Sequence, residues 1–328
     1  MKTIRRIVVW LVLLALAGCN LPQPEAAEPS EPGVITEQSA SDGTTAPVEP
    51  LISTLAVPAN PEELLFAEDF EYIGTFRLPG GDDRPQTFAY GGNAMTFNPN
   101  GDADGADDGF SGSLFVMGHD RIAYGEVPDG NQVAEINIPA PVNSRNLEDL
   151  NTADFLQDFA NVAAGAFTSL EEIPRVGMAY LDRPETGALI HLTWGAHLQG
   201  DPEPSQAWFS PDLANSDLQG FWQLGDQIPY SVNGYLFEIP QEWADVYTDG
   251  RVLASGRFRD GGMGGMGRSL FAYTPWNSDG SPAANGSQLE VVTLLQYASS
   301  LTNESYEGSM TGYQPADEWE GGAWLTMP

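Results

Sequence analysis

The sequence predicts an all-β fold, built from β-propeller-like repeats of short antiparallel strands with long loop insertions. Short apolar runs alternate with Gly, Pro and Asp along most of the chain, as in Ala94–Phe97, Ser113–Gly118 and Val133–Ile138, and this pattern is typical of strands and turns. The second observation is a recurrence: a glycine, an apolar strand and then Pro or Asp. Radially repeated sheets produce such a recurrence, and a β-sandwich is the alternative. The four glycines that begin the recurring unit are Gly92, Gly177, Gly234 and Gly322.

The same criteria place the remaining elements. Two helices are predicted. Leu147–Asn161 has apolar residues at helical spacing and Asn146 as its N-cap, and a shorter helix is expected at Gln241–Tyr247. The further predicted strands are Tyr72–Leu78, Val176–Asp182, Gly187–Gly195, Gln206–Ser210, Phe221–Leu224, Asn233–Pro240, Gly250–Gly256, Ser269–Thr274, Leu289–Gln296 and Gly321–Pro328.

Three repeats and one extra strand do not close a propeller, which needs at least four blades. Either the strand at Gly321–Pro328 completes a blade that begins near the N-terminus, or the reading frame is incomplete at its C-terminal end. Apolar residues such as Trp324 on an unpaired edge strand favour the second expectation, because such an edge promotes aggregation.

The N-terminal region is predicted to be an export signal followed by a tether. Residues 1–19 combine a basic start with the apolar run Ile7–Leu16, which is too short to span a bilayer as a mature helix. Residues 20–60 are rich in Pro, Glu, Ala, Ser and Thr and contain no basic or aromatic residue, so they are expected to be disordered. The β domain is expected to occupy residues 61–328.

The end of the export signal, Leu16-Ala17-Gly18-Cys19, resembles the lipobox of bacterial lipoproteins. Cys19 is the only cysteine of the chain, so it has no partner for an intrachain disulfide. The resemblance implies that Cys19 is acylated and becomes the mature N-terminus. The protein would then be held on a membrane of the bacterial cell envelope, with its domain outside the cytoplasm.

The charge balance excludes one class of partner. The chain has 46 acidic and 13 basic residues and a formal charge of −33. Such a surface repels nucleic acid and anionic lipid headgroups and attracts cations, calcium above all outside the cell. Alternatively, the acidity reflects only a salt-rich habitat, in which carboxylates keep the protein soluble.

An acidic loop after the first repeat strand is the strongest candidate metal site. Oxygen-bearing side chains at alternate positions, followed by Gly105, match the start of a calcium-binding loop. The pattern departs at its twelfth position, where Ser111 replaces glutamate, so a calcium-braced hairpin is predicted rather than an EF-hand, and a solvated loop is the alternative. The predicted ligands are Asn100, Asp102, Asp104, Asp107 and Asp108.

One pair of residues suggests catalysis. His119 and Asp120 follow a predicted strand, and an aspartate beside a histidine can orient a general base. No nucleophile elbow and no H-E-x-x-H motif accompanies them. His191 alternates with Leu189 and Thr193 within a predicted strand, so we expect a structural role for it.

A glycine-rich stretch and its flanks give the candidate ligand contacts. Residues 261–267 contain a formal G-x-G-x-x-G, but a strand follows it instead of a helix, which argues against a nucleotide loop. Arg257, Arg259 and Arg268 flank this loop and form the one basic spot, which suits a carboxylate or a sulfated sugar. Trp276 lies in a polar context and is a candidate for stacking on a sugar ring.

The order FEYIGTFRLP, FAYGGNAMTFNP, GSLFVMGHD, VAEINIP and later GYLFEIPQEW resembles uncharacterised bacterial secreted proteins with propeller-like repeats. One hairpin is also similar to the units of esterase-like phytase domains. The first resemblance implies no known activity, and neither supplies a catalytic residue. The sequence therefore predicts a lipid-anchored binding or scaffold protein for a glycan, peptide or partner protein. The alternative is a calcium-assisted hydrolase of the phosphoesterase or lactonase type.

Overall fold

The computed structural model describes residues 67–80, 86–89, 94–102, 109–118, 132–163, 174–196, 201–232, 234–257, 268–297 and 321–324. All of them belong to a unit that runs from Ala67 to Pro328. The predicted export signal and tether lie outside the described residues, so those predictions and the domain boundaries stay untested.

The first sheet has four antiparallel strands that are neighbours in chain order. Its strands bury two opposite faces because apolar residues occupy consecutive positions in them: Phe115 and Met117 point to one side, and Leu114 and Val116 to the other. The strands are β1 (Met95–Asn98), β2 (Gly109–Met117), β3 (Gln132–Pro139) and β4 (Phe155–Asn161).

The second and third sheets repeat this arrangement. The second contains β5 (Pro174–Arg183), β6 (Gly187–Ala196), β7 (Gln206–Phe209) and β8 (Gln219–Leu224) in antiparallel order, and β12 (Gln288–Leu289) joins β8 in parallel. The third contains β9 (Tyr235–Glu238), β10 (Leu253–Gly256), β11 (Arg268–Tyr273) and β13 (Val292–Gln296). The predicted short helix is confirmed as α1 (Gln241–Tyr247), which connects β9 to β10.

The prediction of a helix at Leu147–Asn161 is wrong. A single 3-10 turn, Leu147–Asp149, is followed by strand β4, and the Asn146 side chain accepts a hydrogen bond from the Glu148 backbone N–H at 3.3 Å. Phe155 and Phe159 alternate with exposed positions in β4, and both rings pack against Phe88. Pairing with the edge of β3 therefore prevails over the helical spacing.

One predicted strand is also corrected, and another is described only in part. Within Tyr72–Leu78 the chain forms only isolated bridges, Thr75 to Val142 and Arg77 to Thr152, instead of a continuous strand. In Gly321–Pro328 only residues 321–324 are described, and they form no strand. The other predicted strands are found within a few residues of their expected bounds, except that the run from Leu289 to Gln296 is divided between β12 and β13.

The three sheets pack face to face in chain order. One core cluster joins the first sheet to the second through residues such as Met117 and Ile190, and another joins the second to the third through residues such as Trp222 and Phe271. The fold is therefore all-β, as predicted, and each of these three described sheets is open.

A buried polar chain crosses from the second sheet to the third. The Tyr273 hydroxyl donates to Gln206 Oε1 at 2.8 Å, and Gln206 Nε2 donates to Thr193 Oγ1 at 2.7 Å. Thr193 Oγ1 in turn donates to the carbonyl of Val232 at 2.6 Å. Burial raises the pKa of the Tyr273 phenol, which stays protonated and available as a donor. These hydrogen bonds help to hold the second and third sheets in one relative position.

The first strands of the three sheets lie beside one another. Strand β1 packs against β5, and β5 packs against β9. A glycine makes the second contact possible: a Cβ atom on Gly177 would lie 2.6 Å from Tyr235 Cα. This close approach brings the second and third sheets together at β5 and β9.

Candidate binding cleft

A cleft of about 520 Å³ lies where these first strands meet. Each of the three strands contributes three consecutive residues to its lining, 95–97 from β1, 178–180 from β5 and 236–238 from β9. Pro240, Ala323 and Trp324 complete the wall. A concave site of this size suits a small molecule or a few residues of a partner.

Most side chains of the lining are apolar. Met95 and Phe97 of β1 are 57% and 48% exposed, although both are large hydrophobic side chains, and Trp324 is exposed as well. The Trp324 ring lies on Trp243 of α1 with ring centroids 5.0 Å apart. Exposed apolar groups that are gathered in a concave site make this cleft the candidate binding site.

Two polar side chains of the lining already take part in hydrogen bonds. Thr96 Oγ1 accepts a hydrogen bond from the Tyr180 backbone N–H at 2.7 Å. Glu238 accepts a charge-assisted hydrogen bond from Arg183 Nη1 at 3.0 Å, although the carboxylate remains half-exposed.

Tyr180 connects the cleft to the acidic loop. Burial raises the pKa of its phenol; the side-chain hydrogen bond with Asn100 opposes the rise, and the nearby carboxyl groups of Asp182 and Glu135 add to it. Tyr180 is therefore a neutral hydrogen-bonding group at physiological pH.

A buried carboxyl group lies behind this tyrosine, in the first sheet. Glu135 on β3 accepts hydrogen bonds at Oε1 from Ser113 Oγ on β2 (2.5 Å) and Asn98 Nδ2 on β1 (3.2 Å). Its Oε2 accepts from Gln157 Nε2 on β4 at 2.6 Å. One side chain thus connects all four strands of the sheet.

The start of the acidic loop covers this carboxyl group. A Cβ atom on Gly101 would lie 2.6 Å from Glu135 Oε1, so only glycine allows the loop to pass so close. Of the predicted calcium ligands, Asn100 and Asp102 are described. The Asn100 backbone N–H donates to Asn98 Oδ1 at 3.0 Å, and the Asp102 carbonyl accepts from Gly112 at 3.3 Å.

The other predicted calcium ligands, Asp104, Asp107 and Asp108, lie outside the described residues. Within the part of the chain that the structure describes, no group of three or more His, Cys, Asp or Glu side chains is placed to hold a metal ion. The calcium prediction therefore remains untested.

The predicted catalytic pair, His119 and Asp120, also lies outside the described residues. His191 is described and is buried, with 1% of its surface exposed, as its alternation in β6 predicted. Its ring lies 5.5 Å from Trp208 and 5.7 Å from Trp276 by ring centroids. Burial lowers the pKa of His191 to about 3, so the imidazole is neutral at physiological pH.

The predicted arginine site is divided between core and surface. Arg257 is buried, and its Nη2 donates to Ser231 Oγ at 3.2 Å and to the Arg268 carbonyl at 2.8 Å. The Arg268 side chain is exposed, 4.0 Å from Asp226, and Arg259 lies outside the described residues. Trp276 is half-buried against the second core cluster. A ligand contact at these residues stays a prediction.

Sequence reasoning missed Glu135 and the cleft. A signal for Glu135 was present, because it is the one charged residue within the otherwise uncharged run Val133–Pro139, and a buried charged group needs partners. The cleft residues gave no such signal, since each looks like ordinary strand core.

Cys19, the predicted lipidation site, lies outside the described residues. No helix among the described residues is long and apolar enough to cross a membrane.

Comparison of the chain with protein-family models, with curated proteins and with solved structures finds no match. The resemblances to lipoproteins, to propeller-like secreted proteins and to esterase-like phytase domains therefore stay predictions.

Proposed function

We propose that this protein is a lipid-anchored, extracytoplasmic, β-propeller-like binding protein that holds its ligand in the cleft between β1, β5 and β9. The observation that carries the proposal is the cleft itself, in which exposed apolar side chains from three sheets surround one space. Exposed apolar side chains that line a concave site are typical of a surface that a bound molecule covers.

The packing of the sheets supports a propeller-like arrangement. The second sheet buries both of its faces, one against each neighbouring sheet, whereas a sandwich of two sheets buries one face of each. The first strands converge on one cleft, as the inner strands of blades do. The backbone of Gly322 lies against the rings of Tyr235 and Phe237 and adds a fourth wall beside β9.

The anchor is proposed from the sequence. An acylated Cys19 and a tether over residues 20–60 would display the domain on a membrane of the cell envelope, and the strongly negative surface would keep it away from nucleic acid.

The described lining favours binding over hydrolysis. Its hydrogen-bonding side chains are Thr96, Tyr180 and Glu238, and among these described groups no nucleophile lies beside a general base. The hydrolase alternative rests on His119 and Asp120.

A charged residue in the cleft should abolish binding. Labelled full-length protein is applied to glycan and peptide arrays, and turnover is assayed on phosphoesters, lactones and glycosides. Met95→Arg places a long cation in the apolar space, so every genuine ligand should be lost, with at least about a tenfold fall in affinity. The matched control is Leu156→Arg, on the outermost strand of the same sheet, where the side chain is 41% exposed.

The proposal fails if array ligands bind equally to wild type and Met95→Arg, or if both arginine variants lose them together. Turnover that survives Met95→Arg and disappears in His119→Ala would support the hydrolase alternative.

We also propose that calcium braces the acidic loop between β1 and β2. Asn100 and Asp102 stand at the start of this loop, and hard oxygen ligands of this kind suit calcium. Calcium should raise the thermal midpoint of the full-length protein by several degrees relative to chelator, because an ion that binds only the native state stabilises it. Asp102→Asn combined with Asp104→Asn should remove the shift, and an unchanged midpoint in wild type would refute the ion site.

A further inference from the structure

The chemistry of the cleft selects among the possible ligands. Building on the proposed function, we infer that the cleft binds an extended polypeptide segment in which apolar side chains alternate with lysine or arginine.

The first argument is the small number of polar side chains in the described lining, which are Thr96, Tyr180 and Glu238. A sugar presents many hydroxyl groups, and each one that is buried without a hydrogen bond is unfavourable. Thr96 Oγ1 is occupied by the Tyr180 N–H, and Glu238 is engaged by Arg183. Met95, Phe97 and Trp324 instead offer apolar surface, which suits aliphatic and aromatic side chains.

The second argument is the backbone of the walls. Strands β1, β5 and β9 each stand at the end of the strand order of their sheet. Each pairs on one side with the second strand of its own sheet, and in the described part of the chain no strand pairs with its other edge. On that edge of β5 the Tyr180 N–H already donates to Thr96 Oγ1, so a peptide would bond to the remaining backbone groups. The edge of a sheet presents N–H and C=O groups in the spacing of another strand, so an extended peptide can hydrogen-bond there whereas a glycan has no matching repeat.

The third argument is charge complementarity. The charged residue of the described lining is Glu238, and its carboxylate is half-exposed. The nearby cation, Arg183, is held by Glu238, Glu185 and Gln241, so it offers little attraction for an anionic ligand. With 46 acidic against 13 basic residues in the chain, a cationic segment is attracted over long range, and an anionic one is repelled.

The test uses three pools of fluorescent nonapeptides and the full-length protein. In the first pool lysine alternates with Leu, Met, Phe or Trp; in the second, glutamate replaces lysine; in the third, serine replaces the apolar residues. Cellohexaose and chitohexaose serve as glycan probes. Fluorescence anisotropy should show that the lysine–apolar pool binds at least about tenfold more tightly than either other pool.

A matched pair of variants locates the binding. Phe97→Ser should weaken binding of the lysine–apolar pool about tenfold or more. Phe110→Ser should leave it unchanged, because Phe110 is equally exposed, 47% against 48%, on the same sheet but outside the cleft lining. Met95→Ser provides a second cleft variant if Phe97→Ser lowers the thermal midpoint.

Each contrary outcome overturns the inference. Equal binding of the serine pool would mean that charge alone attracts peptides to this acidic protein, and equal losses in the Phe97 and Phe110 variants would place the contact elsewhere. Glycan binding that is lost in Met95→Arg, without peptide binding, would refute the peptide inference and leave the proposed binding function standing. No binding of any probe also refutes it, and the array test then decides the proposed function separately.

Discussion

Glu135→Ala should lower the free energy of unfolding by roughly 3 kcal/mol, because it leaves buried donors without an acceptor. The three donors come from the three other strands of the first sheet, namely Asn98, Ser113 and Gln157. Urea denaturation of the full-length protein, followed by tryptophan fluorescence, measures the change.

Glu135→Gln separates the loss of an acceptor from the loss of volume. The new amide oxygen can still accept from Ser113 and Asn98, but its NH₂ group would face the Gln157 Nε2 donor. Gln157 cannot simply turn over, because its Nε2 also donates to the Pro211 carbonyl and its Oε1 accepts from the Leu213 N–H. We expect Glu135→Gln to be destabilised by about half as much as the alanine variant.

The control for both variants is Glu148→Ala. This glutamate is exposed in the connection between β3 and β4, so its removal should change stability by no more than about 0.5 kcal/mol. If Glu135→Ala were no less stable than Glu148→Ala, the carboxyl group would not be what holds the four strands together.

Strand positions could be predicted because their signals are local. A short apolar run and its flanking Gly, Pro or Asp fall within a window of ten residues, and this pattern predicts Ser113–Gly118 and Val133–Ile138 correctly. The error at 147–161 has the opposite cause. Its apolar residues fit a helix as well as a strand. The choice is made by pairing with the edge of β3, which lies outside this segment and so gives no local signal.

The cleft could not be predicted, for a related reason. Met95, Tyr180 and Phe237 lie on three strands separated by long insertions, and nothing in their local sequence says that these strands meet. Gly177 belongs to the predicted recurrence of a glycine, an apolar strand and Pro or Asp. Its close contact with Tyr235, however, depends on the packing of two sheets. The recognisable motifs lie in loops instead, and most of their residues lie outside the described part of the chain.

The contribution of His191 to stability should fall as the pH drops below 6.5, because the imidazole must be neutral to stay in the core. Burial lowers its pKa to about 3 in the folded protein, whereas the unfolded chain binds a proton near pH 6.5. Acid therefore stabilises the unfolded state first, so this contribution to stability is complete above pH 6.5 and falls progressively toward pH 3. At pH 5 the loss is about 2 kcal/mol.

His191→Phe isolates this effect from every other titration. The 46 acidic residues and the other two histidines titrate in both proteins, so their contributions cancel in the difference between wild type and variant. Phenylalanine keeps an aromatic ring between Trp208 and Trp276 and removes two ring nitrogens that have no hydrogen-bond partner among the described residues. Urea denaturation at pH 7 and pH 5 measures the free energy of unfolding of both proteins. The difference, variant minus wild type, should be about 2 kcal/mol larger at pH 5 than at pH 7. His191→Leu repeats the comparison if the larger ring does not fit. A constant difference between pH 7 and pH 5 would mean that the imidazole finds a proton-accepting partner or water in the native state, and that the aromatic cluster is less closed than its packing indicates.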